Sequence, residues 1–73
     1  MVQWEYAELY CFSEEDGYFL NGNKLYEDEK YLIYSLSEAL NHVGLDGWEL
    51  IMKDKDKYGN KLYRMKRIKK LIL

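Results

Sequence analysis

The sequence predicts an α+β fold, in which an antiparallel sheet of four to five strands carries one short helix packed on one face. Three observations support this prediction. Segments at both ends of the chain alternate apolar and polar residues with the period of two that is typical of strands. Between them lies one short segment with the period of an amphipathic helix. An Asn-Gly pair flanked by apolar residues is typical of a tight antiparallel hairpin.

The first strand is predicted over residues 2–12, because Val2, Trp4 and Tyr6 alternate with polar residues and would share one face. The alternation blurs before Phe12, which indicates either a β-bulge or a strand that becomes buried on both faces. An acidic turn is expected to follow at residues 13–17.

A hairpin is predicted around Asn21-Gly22-Asn23, with short strands at 18–20 and 24–26. Asn-Gly tolerates the positive φ angles of a tight turn, so the two strands would pair antiparallel. After a charged break, residues 31–34 are either a buried strand or a first helical turn. Their aromatic and β-branched content favours a strand.

The helix is predicted to begin at Ser35, because Ser35 and Glu38 have the spacing of a capping box. A single apolar stripe with helical spacing follows, formed by Leu36, Ala39, Leu40 and Val43. Gly44 would end the helix as its left-handed C′ residue, with Leu45 making the accompanying apolar contact. A helix of about two turns is marginal alone, so it must pack on the sheet.

Two more strands complete the predicted sheet. In residues 48–53, Trp48, Leu50 and Met52 would share one face. A polar loop with Gly-Asn turn residues follows at 54–60. In residues 61–68 the side chains divide into Leu62, Arg64, Lys66 and Ile68 on one face, and Tyr63, Met65 and Arg67 on the other.

Three segments carry motifs in a distinctive order: Trp4-Glu5-Tyr6, then Leu40-Asn41-His42-Val43-Gly44-Leu45-Asp46-Gly47-Trp48-Glu49-Leu50-Ile51, then Tyr63-Arg64-Met65-Lys66-Arg67. The chain resembles the small bacterial and phage domains of domain-of-unknown-function family 4177, which read W-E-Y, L-N-x-x-G-x-x-G-W-E-L-V and F-K-R. The resemblance implies a compact α+β domain with no established reaction. It also implies that residues 14–34 are an expanded hairpin insertion within a single domain, 1–73.

The motif residues are interpreted as structural. Gly44 would end the helix, Gly47 would permit the turn into the next strand, and Trp48 would anchor that strand against the helix. The predicted structural residues are Trp4, Tyr6, Leu40, Gly44, Gly47 and Trp48.

Composition argues against several functions. A run of about eighteen apolar residues and a secretory leader are both absent, so the prediction is a cytoplasmic protein without a membrane span. Cys11 is the single cysteine and His42 the single histidine, which excludes an internal disulfide and leaves no zinc pattern. No metal or cofactor is expected, since the phosphate-binding G-x-x-x-x-G-K pattern is also missing.

No catalytic residue is predicted. Nucleophilic catalysis by Cys11 would need His42 in reach, but His42 is expected at the helix C-terminus, where its charged form suits the helix dipole. The acidic runs 14–16 and 27–29 lack the glycine-bearing loop of a calcium site and are interpreted as solvated turns. A small carboxylate-dependent enzyme is kept as a second alternative, which requires a carboxyl group with a raised pKa in a cleft.

Charge is unevenly distributed although the net charge is only −2. Eleven of the 13 acidic residues precede Leu50, and nine of the 11 basic residues follow it. A chain of 73 residues buries little surface, and this one is 16% aromatic, so we expect it to self-associate as a dimer or larger oligomer. The acidic part of one subunit could then meet the basic part of another. The apolar end, residues 71–73, is expected to dock on the core or on a partner subunit.

The basic C-terminal hairpin is the candidate ligand site. Its predicted ligand-binding residues are Tyr58, Tyr63, Arg64, Lys66 and Arg67. Cations and rings together attract phosphate and stack on bases, so a small anionic, nucleotide-like ligand is predicted. The simpler interpretation is a solubilising surface whose edge lysines block unwanted strand pairing.

The sequence therefore predicts a non-catalytic small binding module that self-assembles and binds or sequesters a small anionic ligand or a host protein. The resemblance to phage domains adds an anti-defence role by analogy. The alternative is a single-stranded nucleic-acid-binding protein that uses the basic hairpin. A pI of about 5.3 argues against non-specific binding to duplexes.

Overall fold

The computed structural model describes residues 2–13, 15–28 and 31–69. Within these ranges the regular elements are β1 (Trp4–Cys11), β2 (Tyr18–Leu20), β3 (Asn23–Lys24), β4 (Tyr26–Glu27), β5 (Tyr31–Leu32), α1 (Leu36–Gly44), β6 (Glu49–Lys55) and β7 (Lys61–Ile68). One sheet has the strand order β3-β2-β1-β7-β6, and β4 pairs with β5 separately. All strand pairs are antiparallel. The predicted α+β fold is confirmed.

β1 and β7 form the centre of the larger sheet. They pair over their whole length, from Trp4 opposite Ile68 to Cys11 opposite Lys61, without a shift in register. The bulge considered before Phe12 is therefore wrong. The other alternative, a strand that becomes buried on both faces, agrees with the structure up to Cys11, because Leu9 is buried on one side and on the other Tyr10 is half-buried opposite Leu62, which is 3% exposed. Phe12 follows the strand and is exposed, and its ring stacks on that of Tyr10 with centroids 5.3 Å apart.

The two faces of this sheet have different surroundings. On the inner face, Ala7, Leu9, Tyr63 and Met65 are buried in one cluster with the α1 residues Ala39 and Val43. Cross-strand partners share a face, and alternate residues along a strand lie on opposite faces. The outer face is therefore formed by Trp4, Tyr6, Glu8, Tyr10, Phe12, Phe19, Lys24, Glu49, Met52, Asp54, Leu62, Arg64, Lys66 and Ile68.

The helix begins where the sequence predicts and ends differently. Ser35 is the N-cap, and its Oγ accepts a hydrogen bond from the Glu38 backbone N–H at 3.2 Å. Gly44 is the last helical residue, and the following C-cap, Leu45, has φ −61°. The predicted left-handed role of Gly44 is therefore wrong. That conformation occurs at Gly47, with φ +88°, where the chain turns into β6.

β6 contains an irregularity that changes which side chains face the core. Leu50 lies opposite Met65 and Met52 lies opposite Arg64, so Ile51 is an extra residue between two registered pairs. A bulge of this kind reverses the alternation of the residues that follow it. Leu50 therefore lies on the inner face and Met52 on the outer face. The prediction that Trp48, Leu50 and Met52 share one face is wrong for Met52.

The segment before the helix adds a hairpin and a second small sheet. Asn21 and Gly22 have φ values of 48° and 85°, which confirms the predicted tight turn between β2 and β3. Tyr26 does not continue β3 and instead pairs with Leu32, which confirms a strand at the start of 31–34. Ile33 follows that strand and is buried in the core cluster. The second sheet is therefore attached to the main core through Ile33.

Replacing Ser35 with alanine is expected to lower the free energy of unfolding by about 1 kcal/mol, because the Glu38 N–H loses its capping acceptor. Urea denaturation followed by circular dichroism measures this change. The control is Ser35→Thr, which keeps a hydroxyl acceptor at the N-cap, so a much smaller loss is expected. Equal losses for the two variants would contradict the capping role.

Candidate functional site

Large apolar side chains lie exposed next to one another on the outer face. Tyr6 is 68% exposed and Ile68 is 57% exposed, and Trp4, Phe12 and Met52 are each between two-fifths and half exposed. Trp4, Tyr6 and Ile68 are neighbours, because Trp4 pairs with Ile68 and the adjacent row contains Tyr6. Met52 lies further along the face, opposite Arg64, and Phe12 lies at the other end of the sheet. Within the described ranges no helix or strand packs on this face, whereas α1 covers the opposite one.

Aromatic rings and lysines contact each other at two places on the outer face. Near one end, Phe12 makes an edge contact with Phe19 at 5.4 Å between ring centroids, and the Lys24 Nζ lies 5.8 Å from the Phe19 centroid. Near the other end, the Lys66 Nζ lies 4.3 Å from the Trp4 centroid. Such contacts hold ammonium groups over ring faces while leaving both exposed.

Arg64 connects three strands at the middle of the outer face. Its guanidinium lies 3.3 Å from the Glu8 Oε1 on β1 and 3.2 Å from the Asp54 Oδ2 on β6. The pKa of Asp54 is lowered, first by the Lys55 backbone N–H that the carboxylate accepts and then by Arg64. Desolvation raises the pKa of the neighbouring Tyr10, and the charge of Glu8 adds to that effect. The Arg64 charge is thus compensated within the chain.

A shallow pocket of about 410 Å³ crosses this part of the outer face. Its lining consists of Tyr6, Ala7, Glu8, Asn21, Ile51, Arg64 and Met65. Asn21 is fixed to β1 by two hydrogen bonds, one donated by its own N–H to the Glu8 carbonyl and one accepted by its side chain from the Glu8 N–H, both 2.9 Å long. The bulge residue Ile51 forms the other side of the pocket.

The five residues predicted to bind an anionic ligand lie in three different places. Arg64 and Lys66 are on the outer face. Tyr63 is buried in the core at 5% exposure, and Arg67 lies on the same inner side. Tyr58 is in the β6–β7 loop, where the Lys57 Nζ lies 5.0 Å from its ring centroid. The structure therefore does not join these five residues into one surface.

Arg67 belongs to a second cluster, at the end of the inner face. Its guanidinium stacks over the Trp48 ring at 4.2 Å, pairs with the Glu5 carboxylate, and donates a 3.1 Å hydrogen bond to the Asp46 carbonyl. Gly47, whose absent Cβ would lie 4.0 Å from the Arg67 Cβ, brings the turn close to β7. We call Glu5, Asp46, Gly47, Trp48 and Arg67 the motif cluster. Each of the three sequence motifs contributes to it.

The remaining motif residues are divided between the two faces. Leu40 is partly buried and packs against the core cluster. Trp4 and Tyr6 are on the outer face and exposed, so their rings are not part of the core.

The acidic and basic parts of the sequence meet inside one sheet. Glu5 lies opposite Arg67 and Glu8 lies opposite Arg64 in the β1–β7 register, and both pairs form ion pairs. The sequence suggests that these opposite charges meet across subunits. The structure instead pairs these four residues within the chain, because the antiparallel register places the first strand beside the last.

The candidate catalytic residues have local structural roles. The Cys11 thiol donates a weak hydrogen bond to the Ser13 carbonyl, with Sγ and O 3.8 Å apart, and His42 lies in the last turn of α1. In residues 2–13, 15–28 and 31–69 no three His, Cys, Asp or Glu side chains form a metal-binding group. The same ranges contain no helix long and apolar enough to cross a membrane.

The β6–β7 loop is ordered by Asp56. Its carboxylate accepts hydrogen bonds from the backbone N–H groups of Tyr58 and Asn60 and from the Asn60 side chain, each at 2.9 Å. The Asn60 side chain is the main cause of the lowered pKa of Asp56. The lysines of this loop are therefore carried on a defined turn.

Comparisons of the chain with protein-family models, with curated proteins and with solved structures found no match. Membership of the domain-of-unknown-function family stays a prediction. The apolar segment 71–73, which is predicted to dock on the core or on a partner subunit, lies outside the described residues.

Proposed function

We propose that this protein is a non-catalytic binding module that contacts another protein through its outer face. The observation that carries the proposal is the contiguous exposure of Trp4, Tyr6 and Ile68 on the sheet surface opposite the helix, with the half-exposed Met52 further along the same face. Contiguous exposed apolar surface of this kind marks interaction sites in small proteins. Aromatic residues, methionine and arginine are also the residue types that are enriched at protein interfaces.

The charges on the outer face favour a protein over an anionic ligand. In the described strands, the cations Lys24, Arg64 and Lys66 are matched in number by the carboxylates Glu8, Glu49 and Asp54. Binding to phosphates gains its free energy from cations that replace counterions, and carboxylates beside them oppose it. A mixed and balanced surface suits a protein partner that also carries both signs.

A single-stranded nucleic acid is the second candidate ligand. The observation in its favour is the Lys66 ammonium above the Trp4 ring, with the exposed Tyr6 ring in the adjacent row. Bases stack on such rings, and a nearby cation attracts the backbone. The three carboxylates on the same face make this the less favoured candidate.

A photoactivatable phenylalanine analogue at position 6 tests the proposal in cells of the protein's natural source. We expect crosslinked adducts whose second component is protein, identified by mass spectrometry. The control is the same analogue at Tyr34, which is 55% exposed but lies outside the five-stranded sheet. Adducts that contain nucleic acid, equal protein adducts at both positions, or no adduct at position 6 would contradict the proposal.

A further inference from the structure

We infer that the protein bound by the outer face is a second copy of this chain, packed face to face about a two-fold axis that runs along β1. This inference rests on the proposed function and names its partner. The strand order places β1 at the centre of the sheet and β3 and β6 at its two edges. A two-fold axis along β1 therefore lays the β3 edge of one subunit over the β6 edge of the other.

The two edges carry opposite charges at the same position along the strand direction. One row of cross-strand partners crosses the whole sheet, and it consists of Lys24, Phe19, Tyr10, Leu62 and Asp54. Lys24 is at the β3 end of the row and Asp54 is at the β6 end. The rotation about an axis along β1 leaves the position of each residue along the strand direction unchanged and exchanges the two ends of the row. Lys24 of each subunit therefore faces Asp54 of the other.

The apolar side chains of β1 lie along the axis. Trp4, Tyr6 and Tyr10 would each meet the same residue of the second subunit, which is the self-complementary pattern of a two-fold interface. Glu8 also lies on the axis. Each Glu8 carboxylate is paired with the Arg64 guanidinium of its own subunit at 3.3 Å, so the two do not meet as isolated charges. Arg64 is shared with Asp54, and Lys24 of the other subunit would supply the second positive charge.

The size of the face suits a reversible dimer. The five strands of the sheet have eight, three, two, seven and eight residues, and at about 4.8 Å between strands and about 3.4 Å per residue they give a surface on the order of 450 Å² per subunit. Stable interfaces of standard size bury about 800 Å² per partner. The outer face is smaller than this, which suits a weak and reversible dimer, and covering it would also add buried apolar area to a small chain.

Charge exchange at the two edges tests this arrangement. We expect Lys24→Asp and Asp54→Lys each to raise the dimer dissociation constant about tenfold or more, because each places two pairs of like charges across the interface. An equimolar mixture of the two variants should form a heterodimer with nearly the wild-type constant, since both of its edge pairs are again opposite in sign. Sedimentation equilibrium over a concentration series measures all of these constants.

Lys53→Asp is the matched control, because it makes the same charge change on β6 in an exposed residue of the inner row, opposite Tyr63. It should leave the dissociation constant within about twofold of wild type. Equal weakening by Lys24→Asp and Lys53→Asp, or a mixture that stays monomeric, would overturn the arrangement.

A second measurement applies if Asp54→Lys does not fold after losing its Arg64 partner. In a Cys11→Ser background, Tyr6→Cys should form an intermolecular disulfide quickly on mild oxidation, because residue 6 lies at the axis. Tyr34→Cys should not. Equal rates would overturn the inference. A wild-type chain that stays monomeric at millimolar concentration would also overturn it, yet protein adducts from position 6 in cells would still support the proposed function.

Discussion

Replacing Leu9 with alanine is expected to lower the free energy of unfolding by about 3–4 kcal/mol. Leu9 is 0% exposed, belongs to the core cluster and lies on the central strand, so the lost methyl groups leave a cavity that its neighbours cannot easily fill. Domains of this size are stable by only about 5 kcal/mol or slightly more. A large part of the variant population should therefore unfold near physiological temperature, as measured by urea and thermal denaturation.

Met52→Ala is the matched control for Leu9→Ala. It shortens a side chain of similar size on the outer face, where Met52 is half exposed. At protein concentrations low enough to keep the protein monomeric, we expect the free energy of unfolding to fall by less than about 1 kcal/mol, because the Met52 side chain buries little apolar surface within one subunit. Comparable losses for the two variants would mean that both faces of the sheet are packed within one subunit, contrary to the structure.

Replacing Trp48 with alanine is expected to lower the free energy of unfolding by about 3–4 kcal/mol. Trp48 is 9% exposed, packs in the core cluster and forms the platform on which the Arg67 guanidinium lies at 4.2 Å. Its removal leaves a cavity and also takes away the partner of that cation. Loss of tryptophan fluorescence complicates that probe, so circular dichroism in urea is the measurement.

A double-mutant cycle separates the cation–π contact from the cavity. Arg67→Met keeps the apolar length of the side chain but removes its charge, and we expect a coupling of about 1 kcal/mol between Arg67→Met and Trp48→Ala. Arg64→Met is the comparison. It breaks ion pairs that are about two-fifths exposed, and such pairs contribute little in water. Strict additivity of Arg67→Met with Trp48→Ala would contradict the stacking.

The elements that the sequence predicts correctly are those with local signals. The Ser35 cap, the Asn21-Gly22 turn and the alternation of β7 each depend on residues within a few positions. The β6 bulge is different, because nothing in Leu50-Ile51-Met52 distinguishes a regular strand from one with an extra residue. The position of the bulge depends on how β6 pairs with β7. The end of the helix is a similar case, because the residue that adopts positive φ is Gly47, where the chain turns into β6, and not Gly44.

The candidate site was harder to predict because it depends on pairing between distant parts of the chain. The alternation of β7 alone separates Arg64 and Lys66 from Tyr63 and Arg67, so the five predicted residues could not share one face. The ion pairs of Glu5 and Glu8 require the register between β1 and β7, which no local pattern contains. One available signal was missed. Four of the even-numbered positions in the predicted first strand, Trp4, Tyr6, Tyr10 and Phe12, carry large rings, whereas Ala7 and Leu9 face the core.

The central position of β1 and β7 also determines when the fold can form during synthesis. β1 leaves the ribosome well before its main partner, β7, which begins at Lys61, more than fifty residues after the start of β1 at Trp4. Until then one edge of β1 has only water or other chains to bond with, while its aromatic side chains are already exposed. The five-stranded sheet can therefore be completed only after β7 has been translated. A nascent chain that stalls before that point exposes an unpaired strand edge that can aggregate with other chains.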